Sequence, residues 1–241
     1  TSLRGPGVRN ANTRGMEVMF IHGHNFFGKE INLTYGPTAA EYVATDCEIF
    51  VRHEIVRCLS DEGTGHKHLF RITIDSLSSI LYAGEYGYGQ PVLNDVAGAG
   101  ARNALSSGGE PVRLMGKNFG AMSSPTLVRA TYKYIDSFEN VTYRAQECVR
   151  TKDHEEITCF TEPGAGHDLK WTVYVDGQAS TAPYSTFLRP TVSPLAGSFS
   201  VTTGDFSRRL RRRLLQTTET TLLSAGSTVG GDIFVFQGTN F

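Results

Sequence analysis

The chain has 241 residues, of which 39% are apolar and 20% charged, with 26 glycines and a formal net charge of −1. That balance suits globular modules of short strands and turns, and no apolar stretch is long enough to span a bilayer. Five arginines sit together in Arg208–Arg213, and lifting those five out of −1 leaves −6 on the rest, an acidic balance that argues against a nucleic-acid partner.

In chain order, residues 1–14 are polar and rich in Gly and Asn, and read as an exposed linker. Val18–Phe26 (VMFIHGHNF) then reads as an apolar strand closed by Gly-x-Asn-Phe. The motif returns at Val112–Phe119 (VRLMGKNF) and at Phe234–Phe241 (FVFQGTNF), where GGEPVRLMGKNF aligns with GGDIFVFQGTNF without a gap. A repeat of this kind predicts modules rather than one large enzyme fold. Gly23 and Gly116 are expected to supply torsions that a β-carbon resists, Asn25 and Asn118 tolerate left-handed backbone, and Phe26 and Phe119 turn inward.

Leu33–Tyr35 and Ala130–Tyr134 are the next strand candidates. Glu48–Val51 with Ile55–Cys58, and Glu147–Val149 with Ile157–Cys159, read as strand pairs around a turn. Ten residues separate Cys47 from Cys58 and Cys148 from Cys159. Beyond each second cysteine, CLSDEGTGHKHLFRITIDS lies over CFTEPGAGHDLKWTVYVDG in constant register. Phe70–Ile74 and Trp171–Val175 alternate as half-buried strands, and Asp176-Gly177 is a turn signal. Tyr88 to Pro91 and Phe187 to Pro190 close the two copies.

The expected organisation is a linker (1–14), a first module (15–91), a linker (92–106), a second module (107–190), a linker (191–229) and the opening strand of an incomplete third module (230–241). The last linker carries an insert at Ser200–Leu222, rich in Thr and Arg, which is expected to be the most protease-sensitive stretch. With a strand ending at Phe241, the chain reads as a segment of something longer.

An even cysteine count, distributed two per repeat, predicts disulfides Cys47–Cys58 and Cys148–Cys159. A zinc site is the alternative, but the short Cys-x₂₋₄-Cys spacing is missing. Disulfides imply an oxidising compartment. The sequons Asn32-Leu33-Thr34 and Asn140-Val141-Thr142 agree with a secretory route and predict N-linked glycans at Asn32 and Asn140.

Side chains that could carry chemistry have blander readings. His22-x-His24 and His66-x-His68 have the spacing to offer paired imidazoles to a metal, but the second repeat has Met115, Lys117 and Leu169 at three of those places, so no metal site is expected. Gly63-Thr64-Gly65 and Gly164-Ala165-Gly166 are too short for a phosphate loop and lead into strands. Ser106-Ser107-Gly108-Gly109 lacks the Gly-x-Ser-x-Gly pattern of a nucleophile elbow. Asp61-Glu62 and Glu155-Glu156 read as solvated turn residues. No catalytic residue and no cofactor is expected, and the chain reads as non-enzymatic. Arg208, Arg209, Arg211, Arg212 and Arg213 form either a processing site, since Arg209-Leu210-Arg211-Arg212 fits Arg-x-Arg-Arg, or an exposed loop that contacts acidic surfaces.

Gly-x-Asn-Phe after an apolar strand, the Cys…Ile-x-Cys pair, Gly-x-Gly before an alternating strand and the closing aromatic-x-x-Pro together resemble the IPT/TIG family. The match is closest over EITCFTEPGAGHDLKWTVYVDG (Glu156–Gly177), while the first copy lacks a proline at the place of Pro163. The resemblance implies an all-β fold of tandem immunoglobulin-like β-sandwiches, with one disulfide per module. It also implies the settings in which such modules occur. These are extracellular arrays in plexin-type receptors, fibrocystin-like surface proteins and flagellar-hair components, DNA-binding transcription factors, and accessory modules of starch-active enzymes. Cysteines, sequons and tandem copies favour the first group. The expected role is an extracellular or cell-surface structural segment, a stalk, coat or filament, whose partners are other copies of itself or other extracellular proteins. The alternatives are a ligand-binding receptor or adhesin ectodomain, and an accessory carbohydrate-binding module.

Overall fold

Alternation of apolar and polar residues builds the strands. In Leu69–Ile74, Phe70, Ile72 and Ile74 are buried while Arg71 between them is exposed, and in Leu169–Val175 every second residue from Leu169 is buried. The pleat sends successive side chains to opposite faces, so each strand offers one apolar face to a core. The structure is a computed structural model describing residues 2–135, 140–180, 184–192 and 238–239. It divides into two units, residues 1–188 and residues 189–241.

The first unit contains two all-β modules. In module 1 the strands are β1 (Ser2–Arg4), β2 (Arg9–Ala11), β3 (Val18–Phe26), β4 (Ile31–Gly36), β5 (Tyr42–Val43), β6 (Thr45–Val51), β7 (His53–Leu59), β8 (Leu69–Ile74), β9 (Leu77–Ser78), β10 (Tyr82–Ala83) and β11 (Gly87–Tyr88). One sheet runs β1-β3-β7-β6, the facing sheet runs β10-β8-β4-β5 with β9 on β8, and β2 pairs in parallel with β11. In module 2 they are β12 (Val92–Ala97), β13 (Arg102–Ala104), β14 (Pro111–Lys117), β15 (Val128–Ile135), β16 (Asn140–Arg144), β17 (Gln146–Lys152), β18 (Glu156–Phe160), β19 (Leu169–Val175), β20 (Gln178–Ala179) and β21 (Tyr184–Phe187). Its sheets run β12-β14-β18-β17 and β13-β21-β19-β15-β16, with β20 on β19. Each module is a sandwich around its own core. One core centres on Met19, Leu33, Tyr35 and Val56, the other on Leu114, Tyr132, Ile157 and Trp171.

The stretches read as linkers are strands. Residues 1–14 supply β1, an edge strand on β3, and β2, which crosses to β11; residues 92–106 supply β12 and β13 in the same roles. Their inward residues are few, Leu3, Val8 and Ala11 in the first, and Gly5-Pro6-Gly7 interrupts them. In the second, a bulge between Leu93 and Asp95 breaks the two-residue period.

Each module carries one disulfide, Cys47–Cys58 and Cys148–Cys159. Both join neighbouring strands of one sheet, β6 to β7 and β17 to β18, beside register shifts in β6 and β17. The second cysteine of each pair is fully buried.

Gly-x-Asn-Phe works differently from the expectation. The left-handed residue is the asparagine, with φ 63° at both Asn25 and Asn118. The glycine makes room. A β-carbon at Gly23 would lie 2.5 Å from the Phe26 ring, and one at Gly116 would overlap the Val92 carbonyl and lie 2.6 Å from the Phe119 ring. The phenylalanine folds back over its own glycine into the core.

In the second unit, β22 (Thr191–Val192) pairs antiparallel with β23 (Gly238–Thr239). The rest of the 230–241 strand, the Ser200–Leu222 insert and all five arginines of Arg208–Arg213 lie outside the described residues.

Candidate functional site at the joint between modules

The two modules meet through a polar joint. Module 1 contributes Thr13, Arg14, the loop Glu62–Gly65 and the segment Tyr88–Gln90. Tyrosine hydroxyls pin that loop. The Asp61 N–H donates to the Tyr35 hydroxyl at 2.7 Å, the Tyr88 hydroxyl donates to the Asp61 carbonyl at 2.7 Å, and the Tyr42 hydroxyl bridges the Thr64 N–H and carbonyl. Burial pushes the Tyr35 hydroxyl up to about 12 and Tyr88 higher still, so both stay protonated donors. Module 2 repeats the device with Tyr132 on Glu162 and Tyr143 on Ala165.

Module 2 contributes Asn118, the loop Phe119–Thr126, His154, Glu155 and the turn Asp176–Gln178. Arg150 holds the loop: Nε donates to the Phe119 carbonyl at 2.5 Å, and the terminal nitrogens donate to the Thr126 carbonyl and hydroxyl at 2.8 Å each. Burial lowers the Arg150 pKa from its ordinary value and the Asp176 carboxylate opposes that shift, so the guanidinium stays charged.

His154 is the centre of the joint. Only 3% of it is exposed. Its Nε2 lies 2.7 Å from Glu62 Oε1 and its Nδ1 lies 2.8 Å from Thr13 Oγ1. A carboxylate only accepts, so Nε2 donates to Glu62, while Nδ1 and the Thr13 hydroxyl share the second hydrogen bond. Around it, Arg14 pairs with Glu155 at 2.6 Å, the Asn118 side-chain amide donates to the Gln90 carbonyl at 3.0 Å, and Gln178 reaches the Tyr88 carbonyl at 3.4 Å. Lys152 also pairs with Glu155, and its hydrogen bond, more than Arg14, holds that carboxyl below the usual carboxylate range. The Asp176 carboxylate occupies the place that a β-carbon on Gly65 would take, and a β-carbon on Gly120 would lie 2.6 Å from the Thr64 methyl. A polar crevice of about 240 Å³ lies beside the joint, lined by Asn12, Thr13, Arg14, Lys117, Asn118, His154 and Glu155.

The sequence reading missed this site. The sequence predicts solvated turn residues at Glu62 and Glu155, and the structure engages both across the joint. The usable signal was the dipeptide His-Glu, which recurs at His53-Glu54 and His154-Glu155 in the repeat register.

The other candidates are scattered. Asn32 is exposed on β4, and Asn140 begins β16. His22 and His24 lie on β3, His24 exposed. His66 is exposed ahead of β8 while His68 is buried, so the two do not share a strand face. Among the described residues no cluster of three His, Cys, Asp or Glu has metal-ligand placement, and no helix is long and apolar enough to cross a membrane. A second concavity, an apolar cleft of about 290 Å³, opens between the sheets of module 1, with Leu3, Ile21, Leu33, Phe70 and Ile72 inside and Ile80 at its rim.

No family model matches the chain, and no curated protein sequence matches it. Similar solved structures include the following two. One is SGBP-B from a complex xyloglucan utilization locus in Bacteroides uniformis, with a TM-score of 0.31 and 12% identity, covering 86% of this chain and 56% of that one. The other is the plexin A4 full extracellular region, with a TM-score of 0.30 and 10% identity, covering 83% of this chain and 17% of that one. The chain therefore spans about half the length of the first and about a sixth of the second. Likenesses at this level assign no function.

Proposed function

We propose that this chain is an extracellular segment of a multi-module protein, in which IPT/TIG-type sandwiches act as a stiff spacer and assembly unit. The observation that carries the reading is the joint. His154 is buried between Thr13 and Glu62 of the preceding module, and Gly65 is left without a side chain so that Asp176 can sit on it. A flexible string of binding domains has no use for such a joint, because inter-domain motion is the default when little is buried between domains. A load-bearing stalk, coat or filament does. One disulfide per module fits an oxidising environment and ties each sandwich locally.

The second reading is a ligand-binding ectodomain, favoured by the apolar cleft of module 1 with Ile80 87% exposed at its rim. Electron microscopy of the protein isolated from its native source separates the two. Repeating filaments, stalks or sheets support the spacer. A soluble monomer that binds a defined ligand tightly overturns it in favour of the ectodomain.

A further inference from the structure

Gly65 is a window between the modules. On one side lies His68 of module 1, with Cε1 3.2 Å from the place that a β-carbon on Gly65 would take. On the other lies Asp176 of module 2, whose carboxylate occupies that same place. The missing side chain brings a buried imidazole of one module up against a carboxylate of the next.

Within module 1 the imidazole has no polar partner. It is 1% exposed and neither ring nitrogen makes a hydrogen bond. Its backbone N–H donates to the Tyr86 carbonyl at 2.9 Å, which fixes the chain beneath the ring. The ring stands edge-on to Tyr35 of β4, Tyr42 of β5 and Tyr88 of β11. Those three hydroxyls bond to one another or to the Asp61 and Thr64 backbone, and none serves the imidazole. The repeat supplies the comparison. Leu169 stands at the place of His68 and Gly166 at that of Gly65. The nearest neighbours of a β-carbon on Gly166 are Leu169 and Tyr134 of its own module, at 3.7 Å. The imidazole is thus found where the other module's carboxylate arrives, and a plain apolar residue serves the same core position in the second copy.

Besides the tyrosines, the groups that act on His68 are Asp176 from the turn between β19 and β20, Glu41 from the turn before β5, and His66 two residues earlier. Burial disfavours the charged ring most; Asp176 is foremost among the groups that favour it, Glu41 adds to it, and His66 opposes it. Asp176 also interacts with Arg150 of its own module and lies 3.5 Å from the Thr64 hydroxyl. The tyrosines that bury the ring belong to module 1 and stay with it whether or not the modules are docked. What docking adds is the Asp176 carboxylate. Docking therefore raises the affinity of His68 for a proton, and by reciprocity a proton on His68 favours docking. The same proton weakens the fold of module 1, because burial disfavours it, so the two effects have opposite sign and are read separately.

We propose that the joint tightens in acid: a proton taken up by His68 of module 1 pairs the ring with the Asp176 carboxylate of module 2 across Gly65, and the spacer stiffens as its surroundings acidify. This rests on the spacer reading and gives its joint a control.

Two measurements on the full chain test it. The first follows the imidazole resonances of His68 by NMR through a pH titration. Asp176→Asn should lower the proton affinity of His68 by about tenfold. The turn survives that change, because asparagine accepts the φ of 46° found at this position. The second is the spin-label distance distribution across the joint in His154→Ala, which loosens the joint and removes its other buried histidine. The broad distribution at pH 7.5 should narrow at pH 5, and should stay broad at pH 5 once His68→Leu is added. A His68 titration indifferent to Asp176→Asn, or a His154→Ala joint that broadens or stays unchanged on acidification, overturns the proposal. The unaltered protein at pH 7.5 keeps the two readings apart. A narrow distribution there leaves the spacer reading standing when this inference fails, whereas a broad one defeats the spacer reading itself.

Discussion

His68 and Leu169 occupy the same place in the two modules, and the difference has an energetic consequence. Leu169 is buried in the module 2 core. His68 is 1% exposed, lies among the rings of Tyr35, Tyr42 and Tyr88, and neither of its ring nitrogens makes a hydrogen bond. An unsatisfied buried polar group costs about 1–3 kcal/mol. His68→Leu should therefore raise the stability of module 1 by roughly that amount, read as a shift in urea midpoint. Burial also lowers the His68 pKa, with the Asp176 carboxylate and the Thr64 backbone pulling the other way. The unfolded chain thus takes up the proton more readily than the folded one. The stability associated with neutral His68 is intact above the ordinary value of about 6.5 and is lost as pH falls toward the lowered folded value. The advantage of His68→Leu should consequently grow between pH 7.5 and pH 5. An advantage that stays constant with pH would show that His68 is not held neutral.

At the scale of strands, the sequence made the central elements legible and the edges illegible. Phe70–Ile74 and Trp171–Val175 alternate cleanly because one face is core, and the cysteine pairs recur at fixed spacing. Strands β1, β2, β12 and β13 were read as linkers because each buries only one or two side chains, and their apolar spacing is broken by Gly5-Pro6-Gly7 or by the bulge at Leu93–Asp95. The Gly-x-Asn-Phe motif was found, but the division of labour within it was not, since sequence alone does not show a ring folding over its own glycine. Gly116→Ala is expected to cost more than Gly23→Ala. At Gly116 the added methyl meets the Val92 backbone, which cannot turn aside, whereas at Gly23 its nearest neighbours are atoms of the Phe26 ring. Overpacking of this kind costs about 1–3 kcal/mol, and comparison of the two melting transitions checks the order. Each disulfide closes a separation of 11 residues, for which the chain-entropy model gives roughly 3 kcal/mol. Reduction should lower the stability of both modules by similar amounts, because the loops are equal in length. Loss from one module only would mean that the other module's disulfide is idle.

At the scale of the molecule, the repeat announced two modules but not how they join. A joint is made of residues from both copies, and internal homology aligns the copies without showing which surfaces face each other. Thr13 and His154 are 141 positions apart, and nothing local links them. Within the joint the contributions are unequal. The Arg14–Glu155 pair is half exposed, with side chains 52% and 39% accessible, so it is worth at most about 1 kcal/mol. His154 is buried and bonded at both nitrogens, and its removal leaves Thr13 without its partner and a cavity at the centre. Arg14→Ala should therefore leave the modules locked, and His154→Ala should release them. The most direct measurement is the distance distribution between spin labels carried on unnatural side chains at exposed Arg71 in module 1 and Lys170 in module 2. The account predicts one narrow distance, unchanged by Arg14→Ala and broadened by His154→Ala. A broad distribution in the unaltered protein, or one indifferent to His154, would contradict it.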